Sequence, residues 1–415
     1  MKEKKVPAIR FQGFTDEWEQ RKVGNFYDFK NGLNKGKEFF GTGVPIVNFT
    51  DVFHHRGLVA SQLYGRVSLT PEEVHNFLVK KGDIFFTRTS ETIEEIGYPS
   101  VMLDTPKDTV FSGFLLRGRS IEDSDPLDDL FKKYVFFTKS FRSEMTKKSS
   151  ITTRALTSGT SIKKMLFQYP AAKAEQHQIG LCITELDHLI TLHQCKLTKL
   201  QLLKKSMLTK MFPKEGARVP EIRFQGFHKN WENLLFDDAV NISNDMVDPK
   251  AGSFDKLIHI GPGDIESHTG QLLPGIKTVS ESHLISGKFR FYKGDIIYSK
   301  IRPELSKCVI APTDGLASAD AYILHCNKEM WQDFLYCILQ TKHFYKYATS
   351  ISMRTGMPKI NREELGRYFF LAPSVKEQQL IGAFFTDLDH LISLHQRKLS
   401  KLQQIKQAML SKLFV

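Results

Sequence analysis

The side chains best suited to chemistry are basic and hydroxyl-bearing residues in loops near short predicted strands. The chain carries a formal net charge of +12 and a pI near 9.2, which favours a polyanionic partner. Arg can donate paired hydrogen bonds to guanine, Asn can do so to adenine, and Lys, Ser and Thr suit phosphate. We therefore predict nucleic-acid contacts at Lys35, Lys37, Arg88, Ser90, Arg154 and Thr160 in the first half and at Lys300, Arg302, Arg354, Lys359 and Asn361 in the second. The alternative for each residue is a loop side chain that contacts only water.

Motifs of familiar catalytic chemistry are missing from the sequence. A methyltransferase that acts on an exocyclic base amine needs a Pro-Pro-aromatic turn after Asp or Asn, and no two prolines are adjacent. Gly261-Pro262-Gly263 lacks the third glycine of a dinucleotide-binding loop, and the Gly32 to Lys37 segment is one residue too short for a phosphate-binding loop. The consecutive His54 and His55 cannot face one metal ion from a strand, and no GxSxG motif is present. We predict a chain that binds and positions, with any chemistry in partner proteins.

The elements that must position these residues are organised by a repeat. Residues 186–200 read LDHLITLHQCKLTKL and residues 388–402 read LDHLISLHQRKLSKL, which are identical at 12 of 15 positions. In each copy, apolar or long side chains recur at alternating intervals of four and three residues, the pattern of a coiled-coil seam. The first seam comprises Ile179, Ile183, Leu186, Ile190, His193, Leu197, Leu200, Lys204, Met207 and Met211; the second comprises Ile381, Phe385, Leu388, Ile392, His395, Leu399, Leu402, Lys406, Met409 and Leu413.

One such helix alone would suit an ordinary core, but two matched helices in one chain can bury each other's seam. We therefore predict an intramolecular coiled coil, with each helix about 55 Å long at 1.5 Å per residue. The seam histidines, His193 and His395, are interpreted as hydrogen-bonding or register-setting residues rather than ligands.

A second motif shows that whole halves of the chain are repeated. VPAIRFQGF at residues 6–14 returns as VPEIRFQGF at residues 219–227, with 8 of 9 positions identical, and each copy is followed by Trp-Glu. Lys81-Gly82-Asp83-Ile84 aligns with Lys293-Gly294-Asp295-Ile296, each a turn that leads into a short apolar strand. The copies lie 213 residues apart at the first motif and 202 at the helices, so the second middle segment is 11 residues shorter.

The middle segments have the pattern of α+β domains. Predicted strands cover residues 45–49, 100–103, 113–116, 257–260, 307–310 and 321–325, and predicted helices cover 127–139 and 328–342. We assign residues 1–170 to the first recognition domain, 171–213 to the first spacer helix, 214–373 to the second recognition domain and 374–415 to the second spacer helix. The predicted fold class is α+β: two globular α+β domains separated by two long helices that form an antiparallel intramolecular coiled coil, with a pseudo-two-fold internal repeat.

Composition limits the class of protein. The 415 residues are 41% hydrophobic and 25% charged, which suits several globular domains. No apolar run approaches the ~20 residues of a membrane span, and MKEKKVPAIR lacks the apolar segment of a signal peptide, so we expect a cytoplasmic protein. An odd number of cysteines without a CxxC pair predicts reduced, mostly buried thiols without a metal: Cys182, Cys195, Cys308, Cys326 and Cys337.

These repeats carry a family resemblance. With Glu175-Gln176 and Glu377-Gln378 ahead of the helical repeats, and IRFQGF followed by Trp-Glu in both halves, the chain resembles the specificity subunit of a type I restriction-modification enzyme over essentially its whole length. The resemblance implies two target-recognition domains that read an asymmetric bipartite sequence in double-stranded DNA. It also implies assembly with two adenine methyltransferase subunits, optionally joined by two translocase-nuclease subunits. S-adenosylmethionine and ATP would be held by those partners, with no cofactor in this chain.

Surfaces shared by both halves are candidates for contacting a partner present in two copies. We predict partner contacts at Phe11, Phe14, Lys196, Lys199, Phe224, Phe227, Lys398 and Lys401. The alternative for the phenylalanines is that they close the core of each domain against the long helices. The alternatives for the whole chain are a stand-alone nucleic-acid-binding regulator or scaffold with no methyltransferase partner, and an enzyme of unrecognised type.

Overall fold

The computed structural model describes residues 6–151, 154–352 and 357–415. The chain divides into two compact units, one formed by Met1–His193 with Lys398–Val415 and the other by Gln194–Arg397. Two long helices, Lys173–Lys210 and Val375–Lys412, each contribute one part to each unit. The two helices predicted from the heptad repeats are therefore confirmed.

The first unit is built on a five-stranded sheet. Its strands lie in the order Tyr27–Asn31, Leu115–Ser120, Ile84–Thr87, Pro99–Met102 and Gly57–Leu58. Smaller sheets contain Glu19–Lys22, Phe40–Val47, Arg66–Val67, Thr89–Ser90, Val110–Phe111, Ser150–Ile151, Ala155–Leu156 and Leu166–Tyr169. The short helices are Phe49–His54, Pro71–Phe77, Asp129–Val135, Lys139–Lys148 and Gly159–Lys163. The main core lies between this sheet, these helices and the long helices, and its largest buried side chains include Trp18, Phe86, Phe131, Phe136 and Phe141.

The second unit repeats this plan with four strands in the main sheet. They lie in the order Val240–Ile242, Ala321–Cys326, Ile296–Ser299 and Cys308–Ile310. The other strands are Glu232–Leu235, Met246–Val247, Ile258–Ile260, Lys288–Phe291, Gly315–Ala317 and Phe369–Ala372, and the short helices are Phe236–Ala239, Gln332–Leu339, Lys342–Ser352 and Arg362–Gly366. In both units the first strand pairs antiparallel with the last strand before a long helix. The beginning and the end of each domain are therefore hydrogen-bonded to each other. The α+β fold class is thereby confirmed.

The Lys-Gly-Asp motif forms the same turn in both units. Gly82 and Gly294 adopt φ of +83° and +95°, a region that favours glycine. The following aspartate closes the turn, because Asp83 accepts from the Lys80 N–H at 2.7 Å and Asp295 accepts from the Tyr292 N–H at 2.7 Å. The predicted turn and strand are confirmed in each copy.

The extents of two predicted helices were wrong. The segment predicted as a helix over 127–139 contains the whole helix Asp129–Val135 and only the first residue of Lys139–Lys148. The segment predicted over 328–342 likewise contains the whole helix Gln332–Leu339 and only the first residue of Lys342–Ser352. A threonine stands at each break. The Thr138 hydroxyl accepts from the Phe141 N–H and the Thr341 hydroxyl accepts from the Phe344 N–H, so each threonine caps the second helix of its pair.

The long helices pack against each other within each unit, and the predicted seams are confirmed. All ten positions of each seam are buried or half-buried. In the first unit, Lys406 pairs with Asp187 at 2.5 Å, while Leu413 shares a core with Ile179. Residue numbers rise along one helix as they fall along the other, so the pairing is antiparallel. In the second unit, Lys204 pairs in the same way with Asp389 at 2.6 Å.

The EQ and IRFQGF motifs anchor each domain to the ends of the long helices. Arg10 makes two hydrogen bonds to the Glu175 carboxylate, at 2.7 and 2.8 Å, and Arg223 makes the same pair to Glu377. The preceding isoleucine binds a helix C-terminus, since the Ile9 N–H donates to Lys412 O at 3.0 Å and the Ile222 N–H donates to Lys210 O at 2.9 Å. Each IRFQGF segment therefore joins the start of one long helix to the end of the other within its unit.

The glutamine of each EQ motif holds the adjoining domain. Gln176 donates to Pro170 O and accepts from the Asp128 N–H at 2.7 Å. Gln378 donates to Pro373 O and accepts from the Trp331 N–H at 2.9 Å. Both amides are buried, so these hydrogen bonds fix the loop that precedes a short helix and the proline before the long helix.

The pair between Lys204 and Asp389 gives a prediction about pH. Burial raises the pKa of Asp389, and the Lys204 ammonium only partly opposes that effect. Between the unfolded pKa, about 3.9, and the raised folded pKa, the folded state keeps a proton that the unfolded state has lost, so stability falls as pH rises through that window. Lys204→Met removes the opposing charge and widens the window upward.

We therefore expect the free energy of unfolding of Lys204→Met to keep falling above the folded pKa of wild-type Asp389, where the wild-type contribution has levelled off, by up to about 1.4 kcal/mol per pH unit. Urea denaturation at several pH values measures this slope. Asp389→Asn is the control and should remove the contribution of this site. If the free energy of unfolding of Lys204→Met depended on pH as that of the wild type does, Lys204 would not control the protonation of Asp389.

Candidate nucleic-acid interface

In the first unit, a small sheet brings two of the predicted segments together. Thr89–Ser90 pairs with Ala155–Leu156, with Ser90 opposite Ala155. The Arg88 carbonyl accepts from the Thr157 N–H at 3.1 Å, and the Arg88 N–H donates to Phe114 O at 2.9 Å. The loop around Phe114 also contacts the start of the Lys35 loop, because the Gly113 N–H donates to Leu33 O at 2.7 Å. Segments far apart in sequence thus meet on one surface of this unit.

A cleft of about 560 Å³ opens beside this sheet. Arg88 and Thr160, both predicted from the sequence, line it together with several residues that the sequence analysis did not single out. The lining residues share basic or hydroxyl chemistry around a small apolar floor: Phe29, Asn31, Arg88, Leu116, Lys148, Ser150, Leu156, Thr157, Ser158, Gly159, Thr160, Ser161 and Lys163. Such a set of donors suits a phosphate-bearing ligand.

The two lysines of the cleft are held by carboxylates. Lys163 pairs with Asp28 at 2.5 Å, and this hydrogen bond is the main reason that the pKa of Asp28 lies below its ordinary value. Lys148 pairs with Glu144 at 2.7 Å and also donates to Lys164 O. An ammonium group has three donor hydrogens, so each lysine keeps donor capacity for a ligand.

The remaining predicted residues of the first unit lie outside the cleft lining. Lys35 pairs with Glu73 at 2.6 Å, and Lys37 is exposed. Ser90 is buried, and its hydroxyl accepts from the Thr92 N–H. Arg154 is exposed and pairs with Glu91 at 3.0 Å. DNA contact by these residues stays a prediction.

In the second unit, the equivalent segments meet through the same backbone contact. The Lys300 carbonyl accepts from the Ile360 N–H at 2.9 Å, as the Arg88 carbonyl accepts from Thr157 in the first unit. Arg302 follows, with its N–H donating to Pro358 O at 2.8 Å, and Lys359 stands opposite Ile301 in an isolated bridge. Arg302 and Lys359 are exposed, whereas Lys300 is half-buried. DNA contact by these residues also stays a prediction.

The other two predicted residues of the second half are Asn361 and Arg354. Asn361 caps the helix Arg362–Gly366, because its side-chain oxygen accepts from the Glu364 N–H at 2.8 Å. This hydrogen bond occupies the acceptor side of the amide that the sequence analysis assigned to adenine. Arg354 lies outside the described residues.

The predicted partner-binding residues fall into two groups. Lys196, Lys199, Lys398 and Lys401 are exposed on the long helices. The half-buried Phe11 and Phe224 pack against the cores of their own units, and Phe14 and Phe227 are also half-buried. This packing of Phe11 and Phe224 is what the core-closing alternative expects, and the exposed lysines remain available to a partner.

Within residues 6–151, 154–352 and 357–415, no cluster of three or more His, Cys, Asp or Glu side chains could hold a metal ion. In the same ranges, no helix combines the length and apolar character needed to cross a membrane. All five cysteines are free thiols: Cys308 and Cys337 are buried, Cys182 and Cys326 are half-buried and Cys195 is exposed.

Comparison with known proteins finds a family match for part of the chain. Residues 250–404 match the family model described as type I restriction modification DNA specificity domain. The type I restriction enzyme EcoDI specificity subunit of Escherichia coli is 32% identical over 210 residues, covering 49% of this chain and 46% of the relative. The type I restriction enzyme MjaVIII specificity subunit of Methanocaldococcus jannaschii is 22% identical over 249 residues, covering 57% of this chain and 58% of the relative. The chain therefore spans about half the length of the curated relatives it matches.

A solved structure covers the whole fold. The S subunit of the type I restriction-modification system from M. genitalium matches 99% of both chains with a TM-score of 0.66 and 16% identity. The protein thus has the fold of that class: repeated α+β units on paired long helices. Residues 250–404 match the model for type I restriction modification DNA specificity domains, and the resemblance predicted from the repeats is confirmed.

Proposed function

We propose that this chain recognises an asymmetric bipartite sequence in double-stranded DNA and positions partner adenine methyltransferase subunits on it, without catalysing the reaction itself. The observation that carries the proposal is the repeated contact between basic segments. Arg88 with Thr157 and Lys300 with Ile360 make the same backbone hydrogen bond in the two units, while the side chains around them differ. A constant backbone with unlike side chains suits two domains that present different recognition surfaces.

The shared chemistry of these segments supports DNA as the ligand. Both carry exposed or half-buried cations beside short strands, on a chain with a net charge of +12. Arginine can read guanine through two hydrogen bonds, whereas lysine, serine and threonine suit phosphates. The match of residues 250–404 to the model of a DNA specificity family adds weight to this assignment.

The repeated architecture supports a partner present in two copies. The buried anchors Arg10–Glu175 and Arg223–Glu377 give both units the same framework, and exposed lysines recur at equivalent helix positions. Two methyltransferase subunits could therefore bind in equivalent ways, with two translocase-nuclease subunits as further partners. S-adenosylmethionine and ATP would then belong to those subunits. A cytoplasmic location fits a partner that acts on the chromosome.

The decisive experiment compares methylated adenines in cells with and without this gene. We expect one bipartite motif to lose methylation when the gene is deleted and to regain it on complementation. Affinity purification of the chain should recover a methyltransferase in the same cells. An unchanged set of methylated adenines, with no co-purifying methyltransferase, would favour the stand-alone regulator and contradict the proposal.

Arg88→Ala tests the recognition role of the first unit. If Arg88 reads a base, its loss should weaken binding to the target by about 1–3 kcal/mol, with little change for unrelated DNA. Lys300→Ala is the matched variant of the second unit and should affect the other half of the motif. Gel-shift titrations with duplexes altered in one half-site at a time measure both effects, and co-purification checks that assembly is intact. Equal weakening on target and unrelated DNA would reduce Arg88 to a phosphate contact.

A further inference from the structure

The two units differ at the position where the first unit has its cleft. Leu116, on the cleft floor, stands opposite Phe86 in the main sheet. The equivalent residue of the second unit is Tyr322, which stands opposite Tyr298. Gly159, the first residue after the helix cap Ser158, is replaced in the same way by Arg362, the first residue after the cap Asn361.

The larger side chains of Tyr322 and Arg362 occupy the position in the second unit that corresponds to the cleft of the first. The Arg362 guanidinium donates to Ile242 O at 2.8 Å and to Ser243 O at 3.0 Å, and it lies 5.8 Å from the centre of the Tyr322 ring. The Lys300 ammonium lies over the same ring at 5.6 Å. In the first unit, by contrast, a Cβ atom at Gly159 would lie only 2.6 Å from the Phe29 Cβ, so this position has no room for a side chain such as that of Arg362.

The charge of the two places also differs. Thr160 and Ser161 of the first unit correspond to Glu363 and Glu364 of the second, counted from the helix caps. Counted from the equivalent caps Thr138 and Thr341, Lys148 corresponds to Ile351. The first unit therefore offers hydroxyl and ammonium donors at these positions, whereas the second has two carboxylates, of which Glu363 pairs with Arg367 and Glu364 accepts from the Asn361 N–H.

We propose that the cleft of the first unit binds a phosphate group of the DNA backbone and that the described residues of the second unit form no such site. The ligands would be the hydroxyl groups of Ser158, Thr160 and Ser161 and the ammonium groups of Lys148 and Lys163. Asp28 and Glu144 are the acidic groups beside the two lysines. Arg88, which also lines the cleft, would remain available to read the adjoining base. This inference rests on the proposed function and deepens it, because it makes the two domains contribute unequally to backbone binding.

Thr160→Glu is the test, since it imports the residue of the second unit at an exposed position. Loss of one phosphate contact should weaken target and unrelated DNA by the same factor and reduce the slope of log Kd against log salt by about one. Thr160→Gln matches glutamate in size without its charge; it removes the Thr160 hydroxyl but no cation, so it should weaken binding slightly and keep the wild-type salt slope. Glu363→Thr in the second unit should also leave the slope unchanged, because Arg362 and Tyr322 fill the place there. Thermal denaturation verifies that each variant is folded.

The measurement uses the full chain in its purified assembly. One duplex carries the bipartite motif identified by the methylation experiment, and the other duplex lacks that motif. If the wild type binds its motif but Thr160→Glu has the wild-type salt slope, the cleft proposal is wrong and the proposed function stands. If the wild type does not prefer the duplex with the motif, the proposed function is wrong, and the proposal for the cleft is wrong with it. A calorimetric titration with pyrophosphate and ATP separates the sources of phosphate. The proposal would be overturned if pyrophosphate or ATP bound saturably, Thr160→Glu abolished that binding, and the salt slope for DNA stayed unchanged. The cleft would then be assigned to a free phosphate ligand.

Discussion

Replacing Arg10 with alanine is expected to lower the free energy of unfolding of the first unit by about 3–5 kcal/mol, because it leaves the Glu175 carboxylate buried without its cation. Glu175 is 1% exposed, and its two oxygens accept both Arg10 hydrogen bonds, while the Trp18 indole N–H lies 3.4 Å from one of them. The same pair raises the pKa of Arg10. Arg223→Ala should have an effect of similar size in the second unit, where Glu377 is also 1% exposed.

Urea denaturation measures the loss, and hydrogen exchange locates it. The Ile9 amide, which donates to Lys412 O, should exchange faster in Arg10→Ala, whereas the Ile222 amide should be unaffected. The double variant Arg10→Leu with Glu175→Leu is the control, because it removes the buried charge together with its partner and should recover most of the stability. An Arg10→Ala variant with wild-type stability would show that water solvates Glu175 and that the anchor contributes little.

These anchors also mark where sequence reasoning stopped. The sequence contained both motifs, IRFQGF and EQ, in both halves, but their contact joins residues 165 positions apart in the chain. Periodicity predicts which face of a helix is buried, and it did so for every seam position. It carries no information about which distant side chain meets a buried glutamate. The recurrence of an arginine and a glutamate at fixed places in both repeats was the one available signal, and it was not used to predict a pair.

The candidate interface was predictable to a similar depth. Residue chemistry selected Arg88 and Thr160, and the repeat selected Lys300 as the counterpart of Arg88. The cleft is lined by Gly159, which lies against Phe29, and by Leu116, which stands where the second unit has Tyr322. Those contacts are set by sheet register and by the packing of a five-residue helix. Neither leaves a local pattern in the sequence, so Lys148 and Lys163 were recognised as cleft residues only from the structure.

Gly180 and Gly382, near the start of the long helices, are the sites where a substitution is expected to cause the second large loss of stability. Gly180 lies against the helix Asp129–Val135, and a Cβ atom there would lie 2.5 Å from Leu130 C and 2.6 Å from Phe131 N. At Gly382 the closest contact of such an atom would be 2.8 Å, to the Asp333 Cβ, with Phe334 N at 3.2 Å. The first site is therefore closed by backbone that cannot rotate away, and the second is slightly less crowded.

Gly180→Val should destabilise the first unit by about 3 kcal/mol, since overpacking forces the recognition domain away from its helix. Gly180→Ala gains about 1 kcal/mol in helix propensity and still should be destabilising, because the overlap with Leu130 remains. Gly382→Ala should cost less than Gly180→Ala. Thermal and urea denaturation give this order, and a Gly180→Ala variant more stable than the wild type would show that the contact relaxes freely. If the helix does seat the domain, Gly180→Val should also weaken recognition of the half-site read by the first unit while the other half-site is still read.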